Sequence, residues 1–167
     1  MHDDAHGAAA PSHAPLPRQV KLAAAWASFM FLYAYVDILG FYLPGVIDDI
    51  LAGIVWEFRI SQGWAVGALA LMAVPILMIV LSTMLPRRAN RIANLVVASL
   101  YALVSVGNAV GEAWASYYGL AAGLEVAVLA LILVLAWSWR EPVPARPKRS
   151  VVPLAERHAS GPDVADP

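Results

Sequence analysis

Two carboxylic acids stand inside stretches of chain that are otherwise apolar: Asp37, in the run from Leu22 to Leu43, and Glu125, in the run from Tyr117 to Trp139. An ionisable side chain in hydrocarbon is costly and turns towards protein or a wet cavity, so each is a candidate for proton or ion chemistry. Asp37 precedes Pro44 by seven residues, roughly 10 Å below that end of its helix. Glu125 follows Tyr117 by eight, roughly 12 Å below the start of its own helix. The first and fourth spans of a four-span chain run in opposite directions, so both carboxyls arrive at nearly one level. Two carboxylates that close cannot both ionise cheaply in a low dielectric; the pair then holds a proton, binds a cation, or does both.

Other polar groups belong to the same half. Asn108 is close to the end of the third span, Gln62 opens the second, and Tyr33 lies one turn below Asp37 on the same helix face, while Tyr35 lies on another. Asp37, Glu125, Tyr33, Asn108 and Gln62 together predict an acidic site for a proton, a cation or a small polar ligand, open to the outside. The competing expectation is a structural or accessory subunit. There the same residues serve helix packing or partner recognition, through interhelical contacts that average about 0.6 kcal/mol. A metal centre is disfavoured because no histidine falls in any span; His2, His6 and His13 sit on the N-terminal arm and read as tail composition. No cofactor is implied, and no nucleic-acid partner is expected.

The elements that must position these residues are membrane spans. Of 167 residues, 60% are apolar and 14% charged, against about 45–50% and about 25% in soluble domains. The mean hydropathy is positive. Cysteine is absent, which excludes disulfides, thiolate metal sites and cysteine catalysis. Apolar runs over about 22–43, 63–85, 92–110 and 117–139 are each long enough, or nearly so, for a ~30 Å hydrocarbon core. They predict an all-α, four-transmembrane-helix bundle over 21–140. Residues 1–20 read as a disordered arm and 141–167 as a disordered basic, proline-rich tail.

Basic residues set the orientation. Of the 11 lysines and arginines, all but Arg59 fall on one side when the N-terminus is threaded inside. The expectation is a multi-pass protein of the plasma membrane with both termini cytoplasmic. Trp26, Trp64, Trp114, Trp137, Trp139, Tyr42, Tyr117 and Tyr118 lie near span ends, where aromatic belts form.

Between spans one and two, Pro44-Gly45 breaks the helix. Apolar residues then recur at helical spacing from Val46 to Phe58, after Asp48 and Asp49 in a first turn. This predicts a short amphipathic helix over 46–58 on the extracytoplasmic side, either floating in the interface or capping the bundle. Three GxxxG spacings, Gly63/Gly67, Gly107/Gly111 and Gly119/Gly123, predict close packing within the outer half of the bundle. Homo-oligomerisation or a membrane partner on those faces is the alternative. Pro75 sits mid-span in the second helix and should kink it. At the inner end Asn90, Arg91 and Asn94 form a cluster that either binds a lipid phosphate or caps the third helix. Phosphate-binding glycine loops, His-Glu-x-x-His and nucleophile elbows are missing, which disfavours an enzyme.

The chain resembles a family of small bacterial four-helix membrane proteins catalogued as a domain of unknown function. The resemblance covers roughly residues 20–140. It rests on Tyr35-Val36-Asp37-Ile38-Leu39, Pro44-Gly45, Ile60-Ser61-Gln62-Gly63, Leu71-Met72 with Pro75, Asn90-Arg91-Ile92-Ala93-Asn94, and Glu125. It implies the four-helix fold and carries no activity with it.

Overall fold

A computed structural model describes residues 15–139. The readings made for His2, His6 and His13 and for the tail from 140 lie outside the described residues. Seven elements follow in order: α1 (Arg18–Gly40), α2 (Val46–Leu51), β1 (Ile54–Val55), β2 (Phe58–Arg59), α3 (Gln62–Met84), α4 (Arg87–Ala109) and α5 (Ala115–Trp137). The four long helices have 23 residues each and are apolar enough to cross a membrane; at 1.5 Å per residue they measure roughly 34 Å.

Prolines and one serine set the helix ends. α1 begins directly after Pro17 and includes residues 18–20 of the expected arm. Ser61 caps α3, its hydroxyl accepting from the Trp64 amide at 3.1 Å. α3 stops at Leu85, which the following Pro86 drives to an extended ψ of 144°. α4 restarts immediately, with Pro86 as its N-cap. Asn90 is therefore one turn inside α4, which corrects its expected capping role.

The bundle is cyclic: α1 packs on α3 and α5, α4 packs mainly on α5, and a lighter α3–α4 contact closes the ring. Its core is the α1 stripe Leu22, Trp26, Phe29 and Tyr33, spaced by fours and threes, against Met78, Tyr101, Leu129 and Ile132. Trp26, Phe29 and Tyr101 meet edge-to-face at centroid distances of 5.9 to 6.4 Å. Arg18 at the start of α1 donates to the Leu135 carbonyl and to Ser138 Oγ at 3.3 and 2.9 Å, satisfying the C-terminal turn of α5.

Two expectations are corrected. The segment 46–58 is not one helix. α2 ends at Leu51, because Gly53 adopts a φ of +77° and closes the last turn, its amide reaching the Ile50 carbonyl. Ile54-Val55 and Phe58-Arg59 then pair as an antiparallel hairpin around Trp56 and Glu57. α2 buries none of its residues, so it does not seal the end of the core.

The glycine spacings also fail to pack the chain against itself. A Cβ added at Gly67, Gly107, Gly119 or Gly123 would meet nothing within 4 Å, and Gly111 lies in a left-handed turn beyond α4. Close approach between helices is provided instead by Ala25, Ala98, Ala121, Ala136, Ser82 and Ser105, all buried.

Candidate functional site

The core stripes of three helices continue into polar residues near the hairpin end of the bundle. On α1 the four-three spacing that buries Trp26, Phe29 and Tyr33 reaches Asp37 one turn later. On α4 it runs Asn90, Asn94, Ala98, Tyr101, Ser105 and then Asn108, and on α5 Ala121, Glu125, Leu129 and Ile132. Polar side chains at those positions cannot face lipid, so they face one another.

They enclose a cleft of about 60 Å³, whose walls include Tyr33, Asp37, Ser105, Asn108, Tyr118 and Glu125. A water molecule needs roughly 10–15 Å³ of such space, so the cleft suits a few waters or a small ion. Glu125 is 4% exposed and Ser105 1%, whereas Asp37 stands open at the cleft. Asp37 lines the same cleft as Glu125 and Tyr33. Asn108 Nδ2 donates to Tyr33 Oη at 2.8 Å, which leaves the phenol proton for an acceptor. The Ser105 hydroxyl lies beside the Glu125 carboxyl but closes no hydrogen bond of normal geometry. It is a buried polar atom on the cleft wall, and Glu125 is its nearest acceptor.

Four of the five residues predicted from sequence, Asp37, Glu125, Tyr33 and Asn108, line this one cleft. Gln62 does not. It is exposed at the first position of α3 and is absent from the cleft wall. Sequence reasoning missed Ser105, Tyr118 and Trp56. Ser105 was findable, since it is one turn from both Tyr101 and Asn108 on the polar stripe of its helix. Tyr118 passed as a belt residue, and Trp56 was hidden by reading its hairpin as a helix. Trp56 adopts a φ of +55°, a rare conformation for a bulky residue, and also lines the cleft.

At the opposite end of the bundle Asn90 and Asn94 are fully buried and spend their polar atoms inside the protein. Asn90 Nδ2 donates to the Ser82 carbonyl at 2.6 Å, Asn94 Nδ2 to Asn90 Oδ1 at 2.6 Å, and Trp26 Nε1 to Asn94 Oδ1 at 2.7 Å. Neither amide reaches a lipid headgroup. Arg91, partly exposed, places its guanidinium 5.6 Å from the Trp137 ring centre, a cation–π contact.

A family model described as a family of unknown function, DUF6326, matches residues 16–145. The chain belongs to that family. No curated protein matches it, and no solved structure does. The matched span takes in all four long helices, so the cleft of this DUF6326 chain lies wholly within the family domain. Among the described residues no three His, Cys, Asp or Glu side chains gather to hold a metal.

Proposed function

We propose that this DUF6326 chain is a multi-pass membrane protein whose cleft is an acidic site for a proton or small cation, opening to the outer surface. The observation that carries this reading is one wall shared by Asp37, Glu125 and the buried Ser105 hydroxyl. A buried carboxylate needs a counter-charge or a proton. No lining residue is basic, so the compensation comes from a bound species. The orientation, with both termini cytoplasmic, is supported by the placement of all but one of the 11 basic residues. Infrared difference titration of the carboxyl bands in nanodiscs tests the site. Coupling predicts that Asp37→Asn displaces the titration of Glu125 and that Glu125→Gln displaces that of Asp37. Two carboxyls that titrate independently would sink the proposal.

A second reading, an accessory subunit, is favoured by the open faces at Gly67, Gly107, Gly119 and Gly123, where another helix could approach. Under it, both carboxyl substitutions impair folding or assembly and leave no ion-dependent signal to lose.

A further inference from the structure

We propose that the cleft takes a small primary ammonium group, seated between the Asp37 and Glu125 carboxyls and covered by Trp56. The proposal rests on the acidic-site reading above and names its ligand class. Three features of the wall select that class. The charge of the lining residues is wholly negative, which selects a cation. The remaining polar groups, Ser105 and Asn108, offer neutral oxygens that can accept from N–H donors at fixed directions. A calcium ion favours about six to eight oxygens in one shell, several of them carboxylate, and the wall supplies two carboxylates.

Aromatic rings complete the enclosure. Tyr33, Tyr118 and Trp56 all line the cleft, and ring faces attract organic cations more than they do strongly hydrated alkali ions. Trp56 is 57% exposed, so the core does not require its ring where it stands. It is held over the cleft by a hairpin turn that places a bulky residue at positive φ. The cleft of about 60 Å³ accommodates a small head such as methyl- or ethylammonium, with any longer substituent leaving through the open side. The same head occurs on free amines and on ethanolamine lipids, and the cleft opens near one end of the spanning helices, within reach of either.

Saturation-transfer NMR on the full chain in phosphatidylglycerol nanodiscs, with methylammonium chloride as probe, tests this. The expected result is saturable transfer that ethylammonium competes away and that equal concentrations of sodium or potassium do not. Trp56→Ala should weaken binding roughly 2- to 30-fold, the range of a cation–π contact, and Asp37→Asn should abolish it. Trp56 is a surface residue, so its variant reports on the site even where a carboxyl variant fails to fold. Replacing phosphatidylglycerol by phosphatidylethanolamine separates the sources. Suppression of the methylammonium signal identifies the headgroup as occupant, an unchanged signal identifies a free amine, and both support the ammonium site. Equal competition by alkali ions, or transfer indifferent to both variants, overturns it. Absent transfer with coupled carboxyl titrations overturns the ammonium inference alone; uncoupled carboxyls overturn the acidic site as well.

Discussion

The hydroxyl of Tyr101 on α4 donates to the backbone carbonyl of Leu71 on α3. Leu71 is four residues before Pro75, which has no amide hydrogen to offer that carbonyl. The phenol thus replaces the helical bond that the proline removes, and α3 continues as one helix through the site. In lipid no water is at hand to do the same.

Tyr101→Phe should therefore destabilise the bundle by about 1–2 kcal/mol, the cost of leaving the carbonyl without a donor. In a Pro75→Ala background the backbone regains an amide hydrogen for the Leu71 carbonyl, and the same Tyr101→Phe change should cost roughly half or less. A double-mutant cycle of unfolding in bicelles measures this. Equal costs in the two backgrounds would show that Tyr101 acts only through its ring packing.

The polar knot at the α3–α4 turn predicts a graded series. Asn94→Ala removes the acceptor for Trp26 and a donor to Asn90, and should cost about 1–3 kcal/mol, since both partners stay buried. Ser82→Ala should cost well under half of that, because its hydroxyl meets Asn94 only at 3.5 Å while the Ser82 carbonyl survives the change. Thermal unfolding of the two variants in one detergent checks the order.

Two glycines should respond in opposite directions. Gly123 is exposed on α5 with open space where a Cβ would stand, so Gly123→Ala should be neutral or stabilising by up to about 1 kcal/mol through helix propensity. Gly53 terminates α2 at a φ of +77°, and Gly53→Ala should cost about 1 kcal/mol or more. Denaturant midpoints decide it. A destabilising Gly123→Ala would point to a helix from another chain on that face.

The proposed orientation can be tested cleanly because the chain contains no cysteine. Single substitutions Glu57→Cys, in the hairpin turn, and Ala89→Cys, in the first turn of α4, both place a thiol on exposed positions. An impermeant maleimide should label intact cells at 57 and reach 89 only after permeabilisation. The reverse pattern would invert the topology and turn the cleft towards the cytoplasm.

Much of the architecture was legible because membrane spans depend on local properties. Length, hydropathy and helix-breaking prolines act through the chain's own backbone and a uniform solvent, so four helices could be placed to within a few residues. The shared end of the bundle for Asp37 and Glu125 was likewise suggested by helical rise, which converts residue counts into distance, and both line the cleft there. The short helix expected between the first two spans is present, but it stops at Leu51 and not at 58, for a local reason too. The apolar period of 46–58 is compatible with a helix, but Gly53 at positive φ terminates it and the β-branched Ile54-Val55 pair across to Phe58-Arg59.

The glycine spacings show where a pattern stops being informative. GxxxG marks a face capable of close approach; it does not say whether a neighbour in the same chain occupies it. The small residues that do let these helices meet, such as Ala98 and Ala121, carry no spacing that singles them out from other alanines.

Sequence by itself determined the number and approximate length of the apolar helices and the residue counts that separate the two acids from their helix ends. Only the tertiary structure decided which stripes meet. It put Asp37, Glu125, Ser105 and Asn108 around one cleft and left Gln62 outside. It brought Trp56 in from the hairpin, tied Asn90 and Asn94 into the core, and set Tyr101 against the carbonyl that Pro75 leaves unpaired. The physical reason is that helix formation is satisfied within a few residues of chain. The rotation of each helix about its axis, by contrast, is settled by contacts between residues as far apart as Tyr33 and Asn108.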